Sequence, residues 1–192
     1  MIKGDSKEYE ILKEACESLK RIDLFTIEIG VRKGQGSKII LDTLSNKKHW
    51  HIGLDPYGSI IYQHCDTTKP CLADYTNEMK QELLRDLDFK NFSLLQLGDD
   101  EFMKRFHDGV PIYRNTKEIR NIYDLVHFDG PHKTTDVIKE SIFFAERSHS
   151  GTVFIYDDYP RYDMQTVLNI IVNQYGFMLL KQGKNKISLK KV

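Results

Sequence analysis

The chain has 192 residues, of which 40% are hydrophobic and 29% charged, and its 28 basic residues balance its 28 acidic residues. This length suits one well-buried domain and is short for two. A net charge of zero argues against a general affinity for nucleic acid or anionic membranes, so specific binding to nucleic acid would need a local patch. Because the sequence shows neither a bilayer-length apolar run nor the apolar core of a signal peptide, we expect a cytoplasmic location.

Strands and helices alternate along the chain. Asp5, with Glu8 three residues later, resembles a capping box at the start of the first helix. Helical periodicity predicts helices over residues 5–20, from the end of the glycine-rich loop through Leu44, from about 74 to 87, from 137 to 145 and from 164 to 175. Short apolar runs predict strands over residues 24–29, 49–54, 92–97, 123–128 and 151–156, and a terminal hairpin of residues 177–182 and 186–190. This alternation predicts a single α/β domain over residues 1–192.

Two segments, residues 57–73 and 107–120, show no clean periodicity. The first is longer than an ordinary connection, and glycine, proline and charged residues interrupt the second. We expect both to be lid-like insertions that cover a ligand site. Candidate side chains for recognising a polyol or a sugar are Tyr57, Tyr62, His64, Tyr113 and Arg114.

The cysteines are Cys16, Cys65 and Cys71. Cys65 and Cys71 could form a small disulfide or supply two metal ligands, because they are close in sequence. Free thiols in a reducing compartment are the favoured interpretation.

A glycine-rich loop, with Gly30, Gly34 and Gly36, follows Glu28 at the end of the first predicted strand. Glycine lacks a Cβ atom and can adopt positive φ, so such a loop lets the main chain contact a ligand. The helix that follows presents free N–H groups and a positive dipole end. The spacing matches neither the P-loop nor the G-x-G-x-x-G fingerprint of dinucleotide-binding proteins. A cofactor loop is favoured over a structural turn.

Asp55 ends the second predicted strand of this βαβ unit. A carboxylate in that position can accept hydrogen bonds from a ribose diol that lies across the first βα turn. The alternative is a helix cap or turn cap, since Pro56 follows.

Acidic residues stand at the ends of several predicted strands: Glu28, Asp55, Asp99, Asp129, Asp157 and Asp158. The carboxyl ends of parallel strands meet at one sheet edge, so these side chains would repel one another without a positive charge among them. A divalent cation is the simplest source, and Asp129, Asp157 and Asp158 would supply oxygen ligands that suit Mg²⁺, Ca²⁺ or Mn²⁺. Turn capping is the alternative for these aspartates. His132 could add a ligand or a base.

These residues resemble those of a known family. The segment from Glu28 to Gly36 is similar to the first motif of class I S-adenosylmethionine-dependent methyltransferases, and Asp55 resembles their ribose-binding acidic residue. Residues 128–132 and 151–159 are similar, more narrowly, to the metal-dependent macrocin O-methyltransferase and cephalosporin-hydroxylase-like branch. The resemblance implies a Rossmann-like, doubly wound, mostly parallel seven-stranded sheet with an antiparallel last strand and helices on both faces.

The resemblance also implies roles for individual residues. The cofactor-binding set is Glu28, Gly30, Gly34, Gly36, Asp55 and Asp99, with the glycines against the methionine and ribose of S-adenosylmethionine, Asp55 on the ribose hydroxyls and Asp99 near the adenine. Asp129, Asp157 and Asp158 match the positions that hold the divalent metal, with Asp129 also catalytic. Where that branch has an acidic base, this chain has Pro131, which leaves His132 as the nearest candidate.

The expected activity is therefore metal-assisted O-methylation of a small-molecule hydroxyl on a sugar, polyol or natural product. The alternatives are a metal-independent methyltransferase of the same fold, a non-catalytic S-adenosylmethionine-binding protein, a nucleic-acid methyltransferase and an NAD-dependent oxidoreductase. The neutral charge and the absence of an Asn/Asp-Pro-Pro-Tyr/Phe motif disfavour nucleic acid as the acceptor. We expect a small-molecule acceptor and no membrane partner, and a homo-oligomer is compatible with the sequence.

Overall fold

The computed structural model of the chain describes residues 6–192. Its helices are α1 (Tyr9–Glu17), α2 (Gln35–Thr43), α3 (Asn77–Asp86), α4 (Asp99–Arg105), α5 (Thr134–Ala145) and α6 (Met164–Tyr175). Its strands are β1 (Asp23–Ile29), β2 (Lys48–Leu54), β3 (Ile61–Tyr62), β4 (Cys71–Leu72), β5 (Phe92–Leu95), β6 (Val110–Tyr113), β7 (Lys117–Arg120), β8 (Tyr123–Phe128), β9 (Ser148–Tyr156), β10 (Phe177–Gln182) and β11 (Ile187–Lys191).

Seven strands form one sheet in the order β10-β11-β9-β8-β1-β2-β5. The pairs among β5, β2, β1, β8 and β9 are parallel, whereas β11 runs antiparallel to both β9 and β10. The predicted Rossmann-like sheet with an antiparallel last strand is therefore confirmed. Because β1, β2, β5, β8 and β9 run in one direction, their carboxyl ends lie at the same edge.

Helices cover both faces of the sheet, and adjacent residues of the central strands enter different apolar clusters. Leu24 and Leu125 pack in a cluster with residues of α1 and α2, whereas Phe25 and Val126 pack in a larger cluster with residues of α5 and α6. This alternation is the period-two pattern of a strand that is buried on both faces. It explains why these strands appear in the sequence as continuous apolar runs.

The first predicted helix is shorter in the structure, because α1 begins at Tyr9. Asp5, which was expected to open a capping box, lies outside the described residues. Glu8 is the N-cap residue in a left-handed conformation, and its side chain makes no cap hydrogen bond. Its carboxylate instead accepts the backbone N–H groups of Lys184, Asn185 and Lys186 at 2.8, 2.8 and 3.0 Å. Glu8 therefore ties the chain before α1 to the turn between β10 and β11.

Residues 107–120 differ from their prediction in both structure and position. They form the β6–β7 hairpin rather than a loop. Arg114 and Arg120 lie 3.5 and 3.1 Å from the carboxylate of Asp23, the first residue of β1. The hairpin therefore lies at the amino end of β1 and does not cover the opposite edge, where the strands end. Tyr113 and Arg114 are accordingly removed from any ligand at that edge.

Three smaller findings complete the fold. Helix α4 was not predicted, and three residues separate it from the end of β5. Cys16, Cys65 and Cys71 are free thiols, as expected. Among residues 6–192, none of the helices has both the length and the apolar character that crossing a bilayer requires.

Candidate functional site

A cavity of about 690 Å³ lies at the carboxyl edge of the sheet. Its wall includes strand ends, the glycine-rich loop, the chain just before α1 and part of the segment between β2 and α3. All the residues predicted to bind the cofactor or a metal or to act in catalysis, except Gly34, line this cavity. The topology therefore brings together residues that are more than a hundred positions apart in sequence.

The glycines of the loop have different surroundings. Gly30 has a φ of +82°, and a Cβ atom built on it would lie 2.1 Å from the carbonyl oxygen of Asp129. Only glycine fits this close approach of two main chains. A Cβ atom on Gly34 would lie 2.7 Å from the side chain of Leu83 in α3, and Gly34 is not part of the cavity wall. The expected contact between Gly34 and a cofactor is thus replaced by packing against α3.

Glu28 lies beneath the loop and is 1% exposed. Ser37 Oγ donates to Glu28 Oε2 at 2.5 Å, and His127 Nδ1 lies 2.8 Å from Glu28 Oε1. Because Ser37 donates its proton to the carboxylate, His51 Nε2 at 3.0 Å must donate to Ser37 Oγ. Burial lowers the pKa of His51 to about 3, so this imidazole is neutral. Both oxygens of Glu28 therefore hold the first turn of α2 against β1 and β8.

Asp55 is 2% exposed and follows β2. Its Oδ2 accepts the backbone N–H of Arg32 at 2.8 Å, and its Oδ1 accepts that of Tyr57 at 3.1 Å. Burial raises the pKa of this carboxyl, although the backbone hydrogen bonds act in the opposite direction. Each carboxylate oxygen can accept more than one hydrogen bond. Asp55 thus caps the loop, as the alternative interpretation held, and can still accept a ligand hydroxyl.

Asp99 begins α4 at the opposite end of the cavity wall. Behind it, Glu140 of α5 is 1% exposed. Burial, and then the neighbouring charge of Asp99, raise the pKa of Glu140 well above its ordinary value. Burial thus favours the neutral form of Glu140 next to Asp99. Sequence analysis did not identify Glu140, although its helical spacing with the buried residues Val137 and Phe144 places an acid on the inner face of α5.

Asp157 forms a buried ion pair that was not predicted. Lys186, which is 0% exposed, places its Nζ 2.7 Å from Asp157 Oδ1. Asp157 Oδ1 also accepts the backbone N–H of Asp158, and Asp157 Oδ2 accepts Ser6 Oγ at 2.5 Å. Burial alone would raise the pKa of Asp157, but the ammonium of Lys186 lowers it below its usual range. Asp157 is therefore a carboxylate whose charge is already compensated.

Asp129 lines the cavity next to this pair. Burial, and then the charge of Asp157, raise the pKa of Asp129 well above its ordinary value. The two aspartates therefore share one proton at neutral pH, with Asp129 in the protonated form and Asp157 ionised. In this state Asp129 can donate a hydrogen bond but cannot act as a base.

The arrangement does not fit a divalent cation on Asp129, Asp157 and Asp158. In the described part of the chain, the only group of three potential ligand atoms within 4.8 Å of one another belongs to Glu28, His127 and Asp129. Glu28 Oε1 and His127 Nδ1 of this group already share a hydrogen bond. Asp158 instead pairs with Arg161, whose Nε lies 2.9 Å from its Oδ2. The positive charge that the clustered acids require comes from side chains.

His132 is 4% exposed and forms part of the cavity wall. Within residues 6–192, neither of its ring nitrogens has a hydrogen-bond partner. Its ring lies edge-on to that of His64, with centroids 4.8 Å apart. Burial, and then the nearby His64, lower the pKa of His132 to about 3. His132 is thus a neutral imidazole that can accept a proton from a group in the cavity.

The segment between β2 and α3 contributes Tyr62, Gln63 and His64 to the cavity wall, and its role as a lid stays a prediction. Arg161 can only donate, so His64 Nε2 accepts its Nη1 at 3.0 Å. His64 Nδ1 then carries the proton and donates to the hydroxyl of Tyr62 at 3.2 Å. Tyr62 lies 2.9 Å from the hydroxyl of Tyr75. Tyr57 is not part of this roof surface, because it is 2% exposed and its hydroxyl donates to the carbonyl of Arg32.

Sequence analysis missed Lys186, although the hairpin register could have identified it. Ile187 of β11 pairs with Tyr156 of β9. In an antiparallel pair, the residue before Ile187 lies opposite the residue after Tyr156, which places Lys186 opposite Asp157. No comparable signal in the sequence marks Ser6, which reaches the same pair from the chain before α1.

Comparisons with known proteins bear on the fold. No family model matches the chain, and no curated protein matches it significantly. An rRNA methylase from Streptococcus thermophilus has a TM-score of 0.57 at 11% identity, with 99% of each chain covered. A methyltransferase candidate from Streptococcus mutans, SMU.1697c, solved in complex with S-adenosylhomocysteine, has a TM-score of 0.59 at 13% identity and 100% coverage of both chains.

An O-methyltransferase candidate from Klebsiella pneumoniae has a TM-score of 0.62 at 12% identity, with 100% of this chain and 83% of that chain covered. At such low identities the likeness shows the fold alone. The chain therefore has the fold of class I S-adenosylmethionine-dependent methyltransferases.

Proposed function

We propose that this protein transfers a methyl group from S-adenosylmethionine to a hydroxyl oxygen of a small-molecule acceptor, without a metal ion. One observation carries the proposal: a single cavity has the glycine-rich loop and Asp55 in one part of its wall and the unpaired imidazole of His132 in another. The first set of residues suits a nucleoside-containing methyl donor. The second suits the removal of a proton from an acceptor.

The residues of the wall fit S-adenosylmethionine. Gly30 leaves its main chain open to the cavity, and Asp55 keeps acceptor capacity for the ribose hydroxyls. We assign Asp99 to accept a hydrogen bond from the exocyclic amine of the adenine. Glu140 lies next to Asp99. Glu28 supports the loop from below instead of contacting the donor.

When bound, S-adenosylmethionine supplies an electrophilic methyl group on a sulfonium sulfur. The acceptor oxygen forms a bond to that carbon while the carbon–sulfur bond breaks, which leaves S-adenosylhomocysteine and a proton to be removed. We assign His132 to take this proton, because neither of its ring nitrogens has a partner among the described residues. Its lowered pKa means that it passes the proton on and does not hold it. Because Asp129 shares its proton with Asp157, its other oxygen can accept a hydrogen bond from the acceptor hydroxyl and help to orient it.

Support for a small acceptor comes from the enclosure of the cavity and from charge. The roof formed by Tyr62, His64 and Tyr75 leaves a volume that suits a cofactor with a compact second substrate. The net charge of zero provides no general attraction for RNA. One of the structurally similar proteins is an rRNA methylase, so rRNA is the second candidate acceptor. Membership of the macrocin branch and homo-oligomerisation stay predictions.

Calorimetric titration with S-adenosylhomocysteine tests the donor half of the proposal. We expect micromolar binding by the wild type, at least tenfold weaker binding by Asp55→Ala, and no binding of NAD. Asp42→Ala is the matched control, because Asp42 lies on the exposed surface of α2 and pairs only with Lys38. Failure of the wild type to bind S-adenosylhomocysteine would refute the proposal.

Turnover tests the acceptor half. The protein is incubated with S-adenosylmethionine carrying a labelled methyl group and with pools of hydroxylated metabolites or purified rRNA. We expect label in the small-molecule fraction and none in the RNA. His132→Gln should keep S-adenosylhomocysteine affinity while it lowers the methylation rate by a factor of about 10²–10⁴, the usual contribution of a general base. Label in the RNA alone would select the second candidate.

A further inference from the structure

We propose that the ammonium of Lys186 is the resident cation of this site and takes the place of a divalent metal ion there. The inference deepens the proposed function, because it assigns Lys186 as the residue that sets the charge at the acceptor end of the cavity. We therefore expect the site to exclude Mg²⁺, Mn²⁺ and Ca²⁺, because Lys186 already contacts the Asp157 carboxylate that these ions would bind.

The first support is the exclusion of Lys186 from water. A lysine side chain is almost never fully buried unless it is paired. Lys186 is 0% exposed, and its Nζ contacts Asp157 Oδ1 at 2.7 Å and Ser6 Oγ at 2.9 Å. It also lies 5.4 Å from the ring centroid of Tyr9. These partners hold the ammonium in one position.

The second support is that both oxygens of Asp157 already accept hydrogen bonds. Lys186 and the N–H of Asp158 occupy its Oδ1, and the hydroxyl of Ser6 occupies its Oδ2. A divalent cation at this carboxylate would lie beside the ammonium, where the two positive charges would repel each other. Binding a metal would therefore require Lys186 to leave a place in which it is fully buried.

The third support is the position of Lys186 directly before strand β11. β11 is antiparallel to β9, so its amino end meets the carboxyl end of β9. The turn before β11 is fixed because the carboxylate of Glu8 accepts the N–H groups of Lys184, Asn185 and Lys186. The Lys186 ammonium, directly before the antiparallel strand β11, thus lies at the sheet edge where acidic residues follow the parallel strands.

Lys186 acts through Asp157 and is a positioning residue. The ammonium holds Asp157 Oδ1 in one position, and Asp157 adjoins Asp129 in the cavity wall. Because Asp129 shares its one acid proton with Asp157, its other oxygen can accept a hydrogen bond from a bound acceptor. Lys186 thereby orients these aspartates without a metal ion.

The test compares three forms of the full chain by thermal shift in EDTA and in about 1 mM MnCl₂. The wild type should show no metal-dependent change in Tm. Lys186→Met should gain several degrees in MnCl₂, because removal of the ammonium frees Asp157 and Asp129 for the metal. Lys181→Met is the matched control on the same hairpin, since Lys181 is exposed and pairs with Glu14 at the surface. It should behave like the wild type.

A double variant keeps the proposal falsifiable. Asp157→Asn with Lys186→Met removes both charges, so this protein should fold and show no response to MnCl₂. Stabilisation of the wild type by MnCl₂ would overturn the proposal, as would a folded Lys186→Met variant that ignores the metal. If Lys186→Met fails to fold, calorimetric titration of Mn²⁺ into the wild type decides, with one-to-one binding as the contrary result and no binding as the expected one.

Titration of S-adenosylhomocysteine in EDTA separates this inference from the proposed function. The wild type should bind equally well in EDTA and in MnCl₂. If S-adenosylhomocysteine binds in neither condition, the methyltransferase proposal is refuted. The assignment of Lys186 is then decided by the Mn²⁺ titration alone. Binding that appears only with metal would refute the assignment of Lys186 alone.

Discussion

Lys186 Nζ and Asp157 Oδ1 lie 2.7 Å apart, and both side chains are almost completely excluded from water. Removing one partner of such a pair leaves the other charge buried and uncompensated. We expect Lys186→Met to lower the free energy of unfolding in EDTA by about 3–5 kcal/mol. Urea denaturation followed by circular dichroism measures this change.

The double variant Asp157→Asn with Lys186→Met supplies the comparison for that measurement. Because neither charge remains, it should recover most of the lost stability. A double variant that is as unstable as Lys186→Met would show that the lysine stabilises the fold through packing and not through charge.

Gly36 gives the second prediction. Alanine in place of glycine within a helix normally stabilises a protein by about 1 kcal/mol. Here a Cβ atom would lie 1.8 Å from Glu28 Oε1, in a carboxylate held by Ser37 and His127. Gly36→Ala should therefore destabilise the fold by roughly 1–3 kcal/mol, as measured by urea denaturation. Gly98→Ala is the control, because no atom lies within 4 Å of its added Cβ, and it should be nearly neutral.

The third prediction concerns His132 at acidic pH. Its pKa falls from 6.5 to about 3 on folding, so the unfolded chain binds a proton that the folded protein does not bind in this range. Stability should therefore decrease as the pH falls from 6.5 towards 3. At pH 5 the contribution of one such group is about 2 kcal/mol.

Urea denaturation of the wild type and His132→Gln at pH 7.5 and 5 checks this. The wild type should lose more stability than the variant by about that amount. His51 has a similarly low pKa and contributes to both proteins equally, so the difference isolates His132. Equal losses in the two proteins would contradict the assignment.

The fourth prediction concerns Glu140, which should make stability change with pH in the opposite direction. Its pKa is raised well above 4.5, so the folded state binds a proton that the unfolded state loses as the pH rises. Glu140→Gln keeps the shape and removes this penalty. The variant should gain stability relative to the wild type on going from pH 4.5 to 8, on the order of 1 kcal/mol or roughly 2–4 °C in Tm. Glu146→Gln, at the exposed end of α5, should show no such trend.

The order of helices and strands could be predicted because each central strand is buried on both faces. Continuous apolar runs such as that of β8 mark such strands, and the glycine after α6 marks the end of that helix. The β6–β7 hairpin was not recognised because its short strands lie outside the main sheet and carry charged residues that pair with Asp23. Its position at the amino edge depends on tertiary contacts that have no local pattern.

The acids of the site could be predicted because they follow strands whose carboxyl ends share an edge. Their partners could not be predicted in the same way. Lys186 comes from an antiparallel strand, and Ser6 and Glu8 come from the chain before α1. Sequence periodicity reports which face of an element is apolar, whereas the pairing of one buried charge with another depends on strand register. The clustered acids indicated a need for positive charge, but the sequence assigned that charge to a divalent cation, and the lysine that supplies it is visible only in the three-dimensional contacts.

The hydrogen bond between Ser6 and Lys186 joins residues separated by 180 positions. Closing so long a loop is slow, because chain entropy opposes the contact until the intervening elements have packed. The acceptor end of the cavity should consequently mature late in folding, after the parallel core has formed. A partly folded chain without β11 in place would carry an uncompensated Asp157 at an open sheet edge.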